Sequence, residues 1–327
     1  MKKAVSLMTL LSLLVSVIGL SSCSLFGVWI NEWHFPDPGL RRAVRSYSDK
    51  DKDGYLSKKE MEESKTLIVW DQCSDLSGVE YLTNLETLAL VNCSELSGVE
   101  KLTNLKEVSF SNQCPDLSAF ENLTNIEEIF IECCVFSETF VFDNKVPVTN
   151  FKFRDCVFEN GVLIKNDSVE YIEFGYCGNG ECEGSGDFVF ADCEKLFWLR
   201  AEFDSEQERK FSVDLSGCDN LDWFLISSEG EQLVTSVDLS NCSTLRSFAI
   251  SDRNNVDDTE ITINISGSPN IEEVSLPEGI KEIDISDCPH LISASEQTPY
   301  EERFRGFIYE SEDGYILTGN EHLVFIK

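Results

Sequence analysis

A phrase returns along this chain at short, nearly fixed intervals. "CSDLSGVEYLTNLETL" begins at Cys73, "CSELSGVEKLTNLKEV" at Cys93, and a weaker copy, "CPDLSAFENLTNIEEI", at Cys114. A unit this short cannot bury an apolar face alone, so the copies must stack and share a core. Within each copy lies L-x-x-L-x-L-x-x-C or a variant, as in "LETLALVNC" from Leu85. Alternate side chains of a strand face opposite ways, so the L-x-L pair points inward and the residue between them points outward.

This pattern resembles the leucine-rich repeat family. The resemblance implies a β-rich solenoid, a right-handed coil of short parallel strands. Inward pairs continue along the chain as Ile68/Trp70, Leu88/Leu90, Val108/Phe110, Ile129/Ile131, Phe151/Phe153, Ile172/Phe174, Leu199/Ala201, Phe224/Ile226, Phe248/Ile250 and Val274/Leu276. From about residue 139 a second apolar pair enters each coil: Phe140/Phe142, Val162/Ile164, Phe188/Phe190, Val213/Leu215, Val237/Leu239, Ile263/Ile265 and Ile283/Ile285. The solenoid is therefore expected to be partly two-sheeted. One corner of the later coils has fixed length ("SGCDN", "SNCST", "SGSPN"). The other varies ("CGNGECEGSGD", "DSEQER", "SSEGEQLVT", "SDRNNVDDTE") and is expected to project as loops from one rim.

The chain has 13 cysteines. Cys73, Cys93, Cys134, Cys156 and Cys177 follow the inward pairs, and Cys114 sits one place late, so these thiols are expected to pack as small hydrophobes. Their spacing of one coil argues against a zinc site. Only Cys177 and Cys182, in "CGNGEC", are placed for a local disulfide.

Ahead of the repeats, "SDKDKDGYLSKKE" runs from Ser48 to Glu60. With Asp49 as position 1, it matches the calcium loop D-x-[DN]-x-[DN]-G-x5-E. Asp49, Asp51 and Asp53 would donate carboxylate oxygens from a bend allowed by Gly54. Tyr55 would offer its carbonyl, Ser57 a water-mediated contact and Glu60 both carboxylate oxygens. Ser57 and Glu60 also spell a capping box for the exiting helix. Asp37 and Pro38 read as cap and first residue of the entering helix. The run from Phe35 into the repeats resembles the N-terminal cap of bacterial surface leucine-rich-repeat proteins, an EF-hand-like helical pair. A structural calcium ion that orders this small cap is the expected cofactor.

Lys2 and Lys3 precede an apolar run from Ala4 to Leu20, the layout of a signal peptide. "LSSCS" follows, and its Cys23 resembles the lipidated cysteine of bacterial lipoproteins. The expected divisions are 1–22 signal peptide, 23–34 lipid anchor and linker, 35–64 helical cap, 65–290 solenoid and 291–327 C-terminal cap. In that last segment two strands are expected around turns near Asp313-Gly314 and Gly319-Asn320. Export to a bacterial surface follows, with membrane contact through lipidated Cys23 alone.

The formal charge is -33, which opposes nucleic acid and anionic lipid surfaces. His34, His290 and His322 are scattered, and the chain has no G-x-S-x-G, H-E-x-x-H or P-loop, so an enzyme is not expected. Strand register places Tyr171, Trp198 and Trp223 in one solvent-facing column, with Tyr176 and Phe203 as neighbours two columns over. Exposed aromatics on a polar sheet are candidate hot spots. The expected role is a non-enzymatic binding scaffold with a protein partner, or alternatively a carbohydrate-binding lipoprotein or a structural envelope component.

Overall fold

The computed structural model describes residues 27–143, 145–177, 186–252, 261–271, 273–276, 280–288, 306–311, 314–317 and 324–326. The signal peptide, Cys23, Cys182 and much of 291–327 lie outside the described residues. The chain divides into two compact units, residues 1–110 and 111–327.

The first unit begins with β1 (Val28–Trp29) and α1 (Pro38–Tyr47). Asp37 caps α1 by accepting from Gly39 N–H at 2.7 Å and Leu40 N–H at 3.0 Å, and Pro38 opens the helix where a missing N–H costs nothing. The chain then forms β2 (Tyr55–Leu56) and α2 (Lys58–Glu63), with both halves of the Ser57/Glu60 capping box present. Leu40, Val44 and Leu56 are fully buried, so the two helices are closed over a small apolar core.

Coils follow through β3 (Thr66–Val69), β4 (Thr87–Val91) and β5 (Glu107–Ser111); β3 and β4 pair in parallel with Leu67 opposite Leu88 and Val69 opposite Leu90. This register corrects one expected pair. Leu67 and Val69 are the buried residues, while Ile68 is half-buried and Trp70 is 67% exposed. The apolar run "LIVW" offers both parities, and pairing with Leu88 selects the other one. Each coil returns through a tight turn at Gly78 or Gly98. Gly78 has φ 103°, and a Cβ there would strike the His34 carbonyl, so only glycine fits. Corner asparagines stitch coil to coil: Asn84 donates to the Glu62 carbonyl at 3.0 Å, and Asn104 to the Thr83 carbonyl at 2.9 Å.

The second unit carries two ranks of parallel strands. The first rank runs β6 (Glu128–Glu132), β9 (Asn150–Arg154), β12 (Tyr171–Cys177), β14 (Trp198–Asp214), β15 (Trp223–Asp238), β16 (Ser247–Asp252) and β18 (Glu273–Leu276). The second rank runs β8 (Phe140–Asp143), β11 (Val162–Lys165), β13 (Phe188–Ala191), the ends of β14 and β15, β17 (Ile261–Asn264), β19 (Ile280–Asp284) and β22 (Val324–Ile326). In this unit every inward pair expected above is buried, in both ranks. β14 and β15 run through both ranks, which joins the two into one sheet. Two of the variable corners, "DSEQER" and "SSEGEQLVT", are therefore paired strand and not loops: Ser205 faces Gly230 and Arg209 faces Gln232. The other two corners lie mostly outside the described residues. β20 (Gly306–Ser311) and β21 (Gly314–Leu317) form an antiparallel pair.

Between the ranks sits a phenylalanine core. Phe153 stacks on Phe174 at 4.9 Å and 5°, and Phe188 meets Phe203 edge-on at 5.0 Å. Two short strands, β7 (Val135–Phe136) and β10 (Val157–Phe158), pair at one corner and stack Phe136 on Phe158.

Cysteines line both corners. Cys134, Cys156 and Cys177 follow the first rank, and each is buried. Cys177 is a free thiol, held protonated by burial and by its neighbour Cys156. A second ladder, which the repeat motif did not reveal, follows the second rank. The Cys193, Cys218 and Cys242 thiols donate to the carbonyls of Ile164, Phe190 and Leu215, one coil back, at 3.6, 3.7 and 3.2 Å. Ser268 takes the next rung and its hydroxyl donates to the Leu239 carbonyl at 2.8 Å; Cys288 then donates to Ile265 at 3.0 Å. Burial pushes the Cys193 and Cys288 thiols up to about 11. The residue before each rung is left-handed: Asp192, Gly217, Asn241, Gly267 and Asp287 in this ladder, and Cys133, Asp155 and Tyr176 in the other. The corner needs positive φ, which Gly, Asn and Asp accept most readily.

Candidate functional site

Residues of three kinds stand out: a carboxylate loop in the first unit, and an aromatic column and a polar groove in the second.

The loop joins α1 to β2. Carboxylate oxygens of Asp49, Asp51 and Asp53 lie within 4.8 Å of one another. Gly54 makes the bend at φ 79°, and its N–H donates to Asp49 Oδ2 at 3.1 Å. Asp49 is 94% buried by its 6% exposure, yet its Oδ1 has no hydrogen-bond partner. A buried, unpartnered carboxylate oxygen is costly, and a cation relieves it. The donor set is all hard oxygen, which suits calcium. Glu60 does not join the three aspartates. Its Oε2 accepts from Ser57 N–H at 2.9 Å and Ser57 Oγ at 2.7 Å, and its Oε1 from Lys50 N–H at 2.7 Å. Burial opposes the charge on Glu60, but these hydrogen bonds outweigh it and hold its carboxyl below the usual range. Tyr55 lies on β2, and Ser57 serves as the α2 cap.

The loop strand has a partner that sequence reasoning missed. β1 pairs antiparallel with β2, with Trp29 opposite Tyr55 and their rings in edge contact at 5.1 Å. Ile30 N–H donates to the Gly54 carbonyl at 2.9 Å, and Arg45 reaches the Ile30 carbonyl at 2.8 Å. The apolar run "VWI" is too short to read as a strand alone.

In the second unit, Tyr171, Trp198 and Trp223 occupy one register column of β12, β14 and β15. Trp198 stacks on Trp223 at 5.2 Å and 9°, and Tyr171 leans on Trp198 at 6.4 Å. Tyr171 is 41% exposed; the two tryptophans are half-buried. Glu173, Arg200 and Glu202 form a charged row beside them. Phe203 is not part of this surface. It is 2% exposed and packs on Phe174, Phe188 and Phe211, because strand alternation gives it the inward parity of Leu199 and Ala201. Tyr176 is 63% exposed at the end of β12, held at φ 53°, and does not share a surface with the buried Phe203.

Next to the column lies a groove of about 740 Å³ lined by Glu170, Tyr171, Lys195, Phe197, Asn220, Asp222, Thr244, Arg246 and Asn270. Tyr171 and Phe197 meet edge-on at 6.2 Å. Arg246 lies 3.8 Å from Asp222. Asn270 is fixed by donating to the Ser243 carbonyl at 2.6 Å, Asn220 by donating to the Glu194 carbonyl, and Thr244 by donating to the Asp219 carbonyl at 2.8 Å. Two repeat positions supply most of this lining. Sequence reading passed over them because their residue types change from coil to coil.

No family model matches the chain, and no curated protein matches it. Among solved structures it is similar to internalin C2 of Listeria monocytogenes, at 15% identity and TM-score 0.29 over 92% of this chain and 97% of that one. It is similar to an internalin (inlF) of the same organism at 14% identity and TM-score 0.28, over 84% and 99% of the two chains. A functional domain of InlJ from that organism, described as including a cysteine ladder, aligns at 12% identity and TM-score 0.26, over 90% and 99%. Among the described residues no helix is long and apolar enough to cross a membrane.

Proposed function

We propose that this protein is a non-enzymatic binding scaffold, presented on a bacterial surface by a lipid on Cys23, whose aromatic column recognises a protein partner. The observation that carries the reading is the stack of Tyr171, Trp198 and Trp223 across three strands of an otherwise polar face. Rings already fixed by neighbours lose little freedom on binding, and large aromatics dominate interface energetics. In this reading calcium is structural. Asp49, Asp51 and Asp53 would hold it, with Glu60 a further donor if released from its capping box, and the ion would offset the buried, unpartnered Asp49 oxygen.

The test is capture from intact cells by the mature protein and by Trp198→Ala/Trp223→Ala. Loss of a specific captured protein, with an unchanged melting temperature, is the expected result. Equal capture by both proteins removes the column from recognition. Mass spectrometry of the mature N-terminus tests the lipid on Cys23 separately.

A further inference from the structure

We infer that the groove beside the aromatic column is a second binding site, and that its ligand is a neutral oligosaccharide. This goes beyond the protein-binding reading, with which it shares only Tyr171.

Residues 66–327 hold 16 Lys and Arg against 51 Asp and Glu, a net -35. The groove departs from this background. Its four ionisable walls, Glu170, Lys195, Asp222 and Arg246, sum to zero, and Asp222 faces Arg246 at 3.8 Å. Such a site neither attracts a basic ligand nor repels a neutral one. It still offers charged donors and acceptors, which make stronger hydrogen bonds than neutral ones.

The volume falls within the range typical of small-ligand sites, about 300–1,000 Å³. Lys195, Asn220, Thr244 and Asn270 come from one repeat position, and Glu170, Phe197, Asp222 and Arg246 from another. The groove therefore crosses successive coils about 4.8 Å apart, with different groups in each. An elongated chain of linked rings can follow it and meet several of these groups at once. At one end Tyr171 and Phe197, 41% and 45% exposed, offer apolar surface to the C–H face of a sugar ring. Along the rest, the anchored amides of Asn220 and Asn270 keep their Oδ1 acceptors in fixed places for hydroxyl donors.

A peptide that binds a sheet by strand addition needs free backbone groups. At the groove Phe197 N–H already donates to the Glu170 carbonyl at 2.9 Å and Asp222 N–H to the Phe197 carbonyl at 3.0 Å, which disfavours that mode.

The test uses the full mature chain on an array of neutral oligosaccharides, among them N-acetylglucosamine, glucose and mannose oligomers. Sulfated and uronate oligomers and basic peptides serve as comparison arms. Retention of a neutral oligomer is expected, with a dissociation constant at or below about 1 mM by calorimetry. Asp222→Ala and Arg246→Gln are each expected to weaken it about tenfold or more. Arg246 is largely solvent-exposed, so the fold does not depend on it, and a melting curve confirms this for both variants. Trp198→Ala/Trp223→Ala is expected to keep sugar binding while losing the protein partner, so the two readings fail separately. The inference is overturned if no neutral oligomer is retained, if acidic oligomers or basic peptides bind as well as neutral ones, or if both groove variants bind as the parent does.

Discussion

Asp49 has one carboxylate oxygen bonded to Gly54 and one buried without a partner. That imbalance makes a prediction about metal. Calcium at a hundredfold its dissociation constant should stabilise the protein by about 2.7 kcal/mol, because only the folded loop binds it. Thermal melting with calcium and with chelator measures this, and Asp49→Ala should abolish the difference. Asp37 makes a prediction about acid. Burial raises its pKa, but hydrogen bonds from Leu40, Ser74 and Gly39 outweigh burial and hold it below the ordinary value. A carboxyl whose folded pKa is depressed adds stability above its unfolded pKa, near 3.9, and that stability goes as pH falls through the folded value. Chelated protein should therefore lose stability below about pH 4. Asp37→Ala should be about 1 kcal/mol less stable at neutral pH, with a flatter acid profile in denaturant titrations. Tyr176 is a different case. It holds a left-handed corner where most other coils place Asp, Asn or Gly, at a cost of about 1–2 kcal/mol. Tyr176→Asn should raise the denaturation midpoint. If it also weakens partner capture, the strain is maintained for binding.

At the scale of elements, the ladder shows what a corner requires. Cys242 and Ser268 occupy equivalent rungs, and each donates to the carbonyl one coil back. A small donor is needed, and sulfur is not essential. Cys242→Ser should stay within about 1 kcal/mol of the parent, while Cys242→Val should cost about 1–3 kcal/mol through overpacking and an unmet carbonyl. Urea denaturation separates the two. The same rungs mark how far the sequence could be read. Alternation made the inward pairs of the second unit legible, because a buried face forces one parity on each strand. It failed at Trp70, where four apolar residues in a row leave parity open, and at Phe203, where ring type was weighed above parity. The Gly54 bend and the capping box were legible, since a left-handed turn and a helix N-terminus each restrict residue types at fixed spacing. β1 was not, because a two-residue strand has no period to detect. The continuity of β14 and β15 was missed for a related reason: "DSEQER" and "SSEGEQ" are polar enough to read as loops, yet two such segments in adjacent coils can satisfy each other's backbone.

For the molecule as a whole, charge is the dominant uneven quantity. Residues 27–65 hold eight Lys and Arg and eight Asp and Glu, while residues 66–327 carry the -35. Self-repulsion on that scale destabilises a compact state, and added salt screens it. The chelated protein should melt at higher temperature in 0.5 M sodium chloride than in 0.02 M, a comparison that calorimetry makes directly. The pairing of β1 with β2 has a mechanical meaning. A pull from the side of Gly27 falls first on Val28 and Trp29, which are clipped to the strand that leaves the aspartate loop. A calcium ion held by Asp49, Asp51 and Asp53 would make the clip and the loop bend yield together. Calcium would then set the force at which this domain lets go of whatever holds its leading end.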